Sequence, residues 1–163
     1  MTDSSETTFP IAGFSEDGYF ETRARVRYAE TDQMGMVYYA NYYVYFEIGR
    51  AEYIRALGFP YRDMERDDDS FMVVAESHCR YRRSARYDDL LRIRTRVAES
   101  RRRSIRFAYE IINDATGEVL ATGETLHVVC SKEGRPKTLP EKYRKFFPLS
   151  DSAADSSVEK PGR

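Results

Sequence analysis

The stretch that most constrains this chain is residues 28–58, YAETDQMGMVYYANYYVYFEIGRAEYIRALG, in which a polar loop holding Asp32 and Gly35 runs straight into a long amphipathic segment. Tyr42, Phe46, Ala51, Ile54 and Leu57 recur near the helical period and predict one apolar stripe on a helix that opens near residues 39–41 and continues through Leu57. Gly58, followed by Phe59 and Pro60, supplies its stop. At about four to five turns such a helix is long for a chain of 163 residues, which places it at the centre of the fold.

The segments around it have a different period. FETRARVRY (residues 20–28) alternates apolar or small residues with charged ones, as a half-buried strand does, and residues 71–82, 90–100, 104–113 and 118–131 alternate in the same way. Asp114 to Gly117 reads as a hairpin turn between the last two. One early helix followed by consecutive antiparallel strands predicts an α+β domain, a sheet of about five strands wrapped on a central helix. Residues 61–70, YRDMERDDDS, read as a charged connection, a solvated loop with the reach to cover a ligand, and LPEKYRKFF (139–147) as a short terminal helix. Both ends, 1–17 and 149–163, are rich in Ser, Asp and other small polar residues and are expected as disordered tails on a single domain at 18–148, with Phe9, Ile11 and Phe14 alone able to dock the first of them.

Several functions are disfavoured at once. Lys and Arg total 26 against 27 Asp and Glu, so there is no general pull toward nucleic acid. No apolar run approaches the ~20 residues needed to span a bilayer, and the first residues lack a basic-plus-apolar leader pattern, which predicts a cytoplasmic protein without membrane insertion. Cys79 and Cys130 each sit in an apolar strand pattern and are expected as buried free thiols. His78 and His127 stand in predicted strands outside any metal-spaced cluster, so structural roles are expected for both, and no metal or cofactor site is predicted. There is no glycine-rich phosphate loop and no GxSxG elbow.

The loop–helix junction is where chemistry fits. Free N–H groups and the positive end of the helix dipole stabilise developing negative charge. An Asp32 carboxylate folded back toward that end would face it across an electrophilic carbonyl, the geometry of acyl transfer. Thr31-Asp32 before a glycine also suits a plain turn, and the residues alone leave both readings open. Asn41 is expected first as a helix cap, with holding the Asp32 loop or contacting substrate as the other roles open to it.

TDQMGMVYYANY (residues 31–42), with the helical acid of YFEIGR (45–50), resembles the signature of the hotdog-fold acyl-CoA thioesterases of the 4-hydroxybenzoyl-CoA thioesterase and YbgC type. The resemblance continues through ARYDDLLRIRT (85–95), SRRRSIRF (100–107) and the late strand around residues 128–130, most of the chain between residues 19 and 148. It implies a hotdog fold, a thioester hydrolase acting without a metal on a small or medium acyl-CoA, aromatic acyl groups included, and a catalytic Asp32. It also implies a Tyr39 backbone N–H that polarises the thioester carbonyl. YbgC-like members often carry a His where this chain has Tyr39, and the backbone donor survives that difference. Glu47 would face the acyl group as a recognition residue, with a catalytic part as its second role. Arg101, Arg102 and Arg103 form the densest basic cluster and Arg80, Arg82, Arg83 and Arg86 another; solvated hairpin charge is one reading of them, and the resemblance favours the turn at Arg102 and Arg103 as the contact for the phosphates of coenzyme A. In the resembling family the active site lies between subunits, so a homodimer or homotetramer is expected, with an edge strand paired to a second copy and residues 72–77 near the partner. An acyl-carrier-protein thioester is the alternative substrate, and a non-catalytic acyl-CoA-binding protein the alternative function. A hotdog dehydratase fits less well, since neither His stands in a suitable motif.

Overall fold

The computed structural model describes residues 12–150. Six strands, Ala12–Phe14 (β1), Phe20–Arg25 (β2), Phe71–Tyr81 (β3), Leu90–Ser100 (β4), Ser104–Asn113 (β5) and Val119–Cys130 (β6), form one antiparallel sheet in the order β1-β2-β4-β5-β6-β3. Asn41–Ala56 (α1) lies against one face, and two short helices, Tyr61–Asp68 (α2) and Glu141–Arg144 (α3), follow in the chain. The expected α+β architecture is present, with strand bounds within two or three residues of those predicted and β1 added at one edge.

The period-two pattern sorts each central strand into two faces. Leu91, Ile93, Ile105, Phe107, Tyr109, Ile111 and Ala121 are almost wholly buried toward α1. The opposite face carries an ion-pair lattice in which Arg94 meets Glu21 at 3.0 Å and Glu110 at 2.5 Å, and Asp114 joins Arg23 at 3.0 Å and Arg92 at 3.4 Å. The inner face of α1 is Tyr42, Tyr45, Phe46, Gly49, Tyr53 and Ile54. Ala51 and Leu57, placed on this stripe from the sequence, are only half-buried. Phe46 stacks on Tyr109 with ring centroids 4.5 Å apart, and Tyr53 meets Phe107 edge-on at 6.0 Å. Gly58 closes the helix at φ +106°, its N–H bonded to the Arg55 carbonyl.

Two expectations need correction. Residues 61–70 are not a loop but mostly helix α2, entered from extended Pro60, with Asp63 in the first turn and a stop at left-handed Asp69. Met64 is fully buried beneath it, and the Tyr61 hydroxyl accepts the Met72 N–H at 2.6 Å, so a mostly charged sequence folds on two inward contacts. Nor is all of 1–17 a free tail: β1 pairs with β2, and Phe14 packs edge-on to Phe20 and Tyr53 at 5.3 and 5.7 Å. Phe9 and Ile11, and residues 151–163 of the other expected tail, lie outside the described residues. The terminal helix is short, and Phe147 beyond it fills the core against Phe107. Among the described residues no helix is long and apolar enough to cross a membrane, and Cys79 and Cys130 are free thiols.

The contact of helix and sheet is close enough to demand glycine. A Cβ at Gly123 of β6 would collide with the Phe46 ring and stand 2.7 Å from the His78 carbonyl oxygen, and one at Gly49 would collide with the Thr95 hydroxyl and stand 2.7 Å from the Ile93 side chain. Gly123→Ala is therefore expected to destabilise the protein by about 1–3 kcal/mol through overpacking, read as a lower urea midpoint at unchanged m-value.

Candidate active site

The segment between β2 and α1 is a knot of hydrogen bonds. After a 3-10 turn at Tyr28–Glu30, the chain reverses at residues 32–35: the Gly35 N–H bonds the Asp32 carbonyl at 3.0 Å with Gly35 at φ +76°. The Asp32 N–H returns to the Met36 carbonyl at 2.8 Å. Asp32 Oδ1 accepts the Met34 and Met36 N–H groups at 2.8 and 3.3 Å, while Oδ2 has no hydrogen-bond partner among the described residues. The turn role and a carboxylate oxygen free of hydrogen bonds among the described residues thus coexist in one residue. Val37 N–H to the Ala85 carbonyl at 2.8 Å ties the loop to the β3–β4 connection.

Glu30 joins this loop to the helix. Its carboxylate, 8% exposed, accepts the Arg27 N–H at 2.8 Å, the Arg27 guanidinium at 2.9 and 3.1 Å, and the Tyr45 hydroxyl from α1 at 3.0 Å. Its carbonyl accepts the Tyr38 N–H at 2.9 Å and Asn41 Nδ2 at 2.8 Å. Asn41 therefore holds the loop, and the N-cap position falls to Ala40, which has no side-chain cap. Burial raises the Glu30 pKa, but the bonds from Arg27 and Tyr45 outweigh it and hold the group below the usual value of 4.5.

A cleft of about 620 Å³ opens beside this knot, lined by Asp32, Met36, Tyr39, Tyr42, Tyr81 and Arg82 among others. Tyr39, just ahead of α1, has a backbone N–H without a partner among the described residues, while its carbonyl accepts the Tyr81 hydroxyl at 3.1 Å. Tyr81 also packs edge-on to Tyr42 and Tyr39, at 5.2 and 6.4 Å. Burial raises the pKa of the Tyr42 and Tyr81 hydroxyls, so both are neutral at ordinary pH.

The other residues singled out from sequence lie elsewhere. Glu47 is exposed on α1, outside the cleft and without an ion pair among the described residues, and Arg50 points instead to the Tyr109 hydroxyl at 3.3 Å. Arg102 and Arg103 occupy the β4–β5 turn, near Val129 and Leu139, at the opposite end of the sheet from Asp32 within one chain. His127 is buried on a Tyr109–Thr125–His127 hydroxyl chain at 2.7 and 2.8 Å, and burial with Arg50 nearby lowers its pKa to about 4. It is a neutral core imidazole. Glu30, Tyr45 and Tyr81 were not singled out as site residues; their contacts join segments 15 to 42 residues apart and leave no periodic signal.

The chain matches the thioesterase-like superfamily over residues 26–147. It is 34% identical to the acyl-CoA thioester hydrolase YbgC of Escherichia coli, across 75% of this chain and 90% of that protein, and 30% identical to the acyl-CoA thioesterase YbgC of Haemophilus influenzae, across 80% and 96%. Among solved structures it is similar to a DHNA-CoA thioesterase from Staphylococcus aureus, with 34% identity, a TM-score of 0.71, and coverage of 80% of this chain and 84% of that one. The chain belongs to the thioesterase-like superfamily, and its fold is the hotdog fold.

Glu30→Gln keeps the shape but removes the charge that gathers Arg27 and Tyr45. It is expected to cost about 1–3 kcal/mol of stability at pH 7. Because the folded-state pKa of Glu30 is lowered, the wild-type advantage is complete above 4.5 and fades as pH falls through the lowered value. Denaturant titrations of both proteins at pH 7 and pH 3 measure the gap; a gap independent of pH contradicts this role.

Proposed function

We propose that the protein hydrolyses acyl-CoA thioesters at the Asp32 cleft. One observation carries this reading: Asp32 and Tyr39, whose Oδ2 and backbone N–H have no partner among the described residues, line the same cleft of a thioesterase-superfamily chain. The thioester carbonyl oxygen takes the Tyr39 N–H, assisted by the positive end of the helix. Asp32 then acts in one of two ways. As a base it takes a proton from water while the oxygen adds to the carbonyl carbon; as a nucleophile it forms a mixed anhydride that water then cleaves. In both the C–S bond breaks and the acid is released: in the first the proton held by Asp32 passes to the departing sulfur, and in the second the sulfur leaves as thiolate and is balanced by a proton from the water that cleaves the anhydride. The neutral tyrosines and methionines of the cleft suit an acyl group of small or medium size, aromatic ones included. Glu47, exposed and unpaired, is the proposed acyl-recognition residue from the helix, and the cytoplasm the proposed compartment.

The working unit in this proposal is a pair of chains. Among the described residues β3 leaves its outer edge unpaired across eleven residues, with Val73 and Val74 each 51% exposed. Antiparallel pairing of two β3 edges sets the Tyr81 end of one chain beside the Phe71 end of the other. That brings the second copy's Arg102–Arg103 turn toward the cleft, where coenzyme A phosphates would extend.

A panel of aromatic and aliphatic acyl-CoAs of graded length, with free thiol detected, tests the reaction. Asp32→Asn is expected to lower turnover by about 10² to 10⁴ at unchanged fold; near-full turnover in the variant sinks the assignment, and binding without turnover in the wild type favours a non-catalytic binder. Solvent oxygen-18 in the Asp32 side chain after one turnover separates the anhydride route from the general-base route. Val74→Asp should break the β3 pairing, and sedimentation should then show a monomer that has lost turnover; an active monomer refutes the shared site.

A further inference from the structure

Most arginines of the described chain are held by carboxylates: Arg23 and Arg92 by Asp114, Arg94 by Glu21 and Glu110, Arg106 by Glu76, Glu99 and Glu124, and Arg83 by Glu118. Arg82 and Arg86 are exceptions, having no ion pair or side-chain hydrogen bond among the described residues. Arg82 lines the Asp32 cleft. Arg86 Nη1 lies 3.7 Å from where a side chain at Gly35 would begin, so its guanidinium covers the Asp32–Gly35 turn.

The backbone that delivers these two groups is fixed. The N–H groups of Arg82 and Arg83 both bond the Leu120 carbonyl, at 2.8 and 3.0 Å, and the Arg86 N–H bonds Asp89 Oδ2 at 2.8 Å. The Arg86 guanidinium itself has no ion pair among the described residues. On a chain of net charge −1 the result is a local surplus of positive charge at the cleft mouth, on side chains that pay only their own ordering when an anion arrives.

We infer that Arg82 and Arg86 clamp a phosphate of the carrier arm of the thioester substrate, in the same chain as the Asp32 that acts on it. The inference rests on the thioesterase reading. Guanidinium groups bind phosphate through paired N–H donors, and a carrier thioester offers such groups in two forms: the diphosphate and 3′-phosphate of coenzyme A, or the single phosphate of a phosphopantetheine arm. Arg102 and Arg103 stand at the other end of the sheet and do not supply this contact within one chain.

The test compares one acyl group carried on coenzyme A, on 4′-phosphopantetheine and on phosphate-free pantetheine, in the wild type, in the Arg82→Gln/Arg86→Gln double variant, and in Arg66→Gln as a control on a surface arginine paired with Asp63 and Asp67. In the double variant, kcat/KM for acyl-CoA relative to that for acyl-pantetheine is expected to fall about tenfold or more, with the gap narrowing as salt rises. A fall that persists with phosphopantetheine assigns the clamp to the arm phosphate; one confined to acyl-CoA assigns it to the nucleotide phosphates. An unchanged ratio overturns the clamp, as does an equal loss on all three carriers. Calorimetric titration with coenzyme A and with pantetheine reads the clamp without turnover. Coenzyme A binding that depends on these arginines in a protein without hydrolysis keeps the clamp and removes the hydrolase reading, whereas hydrolysis indifferent to them does the reverse.

Discussion

The structure depends on the distance at which α1 lies from the sheet. Two glycines set it, one on each partner: Gly49 presents bare backbone to Ile93 and Thr95, and Gly123 lets the Phe46 ring settle where a side chain would stand. Phe46 can then stack on Tyr109, and Tyr53 can reach Phe107, so the aromatic core follows from the missing Cβ atoms rather than the reverse. Interiors packed at this density transmit small displacements instead of absorbing them. The start of α1, and with it the Tyr39 N–H, is thereby located by contacts two to three turns further along the helix.

Packing fixes the helix, and a buried charge fixes the loop to it. Glu30 spends its carboxylate on Arg27 and Tyr45 and its carbonyl on Tyr38 and Asn41, so one residue joins the 3-10 turn, the loop and two positions at the start of α1. A buried acid without such partners would be protonated or expelled. Here every acceptor is matched, and Asp32, two residues on, inherits a fixed position while keeping one oxygen open to the cleft. In the proposed reaction, rigidity in the neighbour is what lets a turn residue double as the reactive one.

These causes also explain how far the sequence could be read. Strands 90–100 and 104–113 were legible to the residue because one face is buried and the other carries paired charge, which is the condition for a clean period of two. The long helix and its glycine stop were legible for the same reason at the helical period. α2 was not, since only Met64 and Tyr61 turn inward and eight residues are too few to establish a period. Asp32 and Tyr39 stood out through a motif, whereas Glu30 did not, because its meaning lies in Tyr45, fifteen residues away. The arginine clusters show a further limit: density along the chain says nothing about which guanidiniums already have a carboxylate. Arg82 and Arg83 are neighbours in sequence, yet Arg83 is held by Glu118 at 3.0 Å and Arg82 is open.

The two edges of the sheet make a final contrast. At one edge β1 is three residues long, too short to template another strand. At the other, β3 runs for eleven residues with no proline or lysine and with Val73 and Val74 half-exposed, guarded only by a bulge at Val74–Glu76 and the charges of Glu76 and Arg80. Left alone, such an edge is an aggregation hazard; paired with its own copy, it is satisfied along its length. The cleft lies at the Tyr81 end of this same strand, and Tyr81 itself holds the Tyr39 carbonyl. Closing the sheet edge and completing the site are, in the proposed dimer, one event, which gives a physical reason for the edge to remain so lightly protected in the single chain.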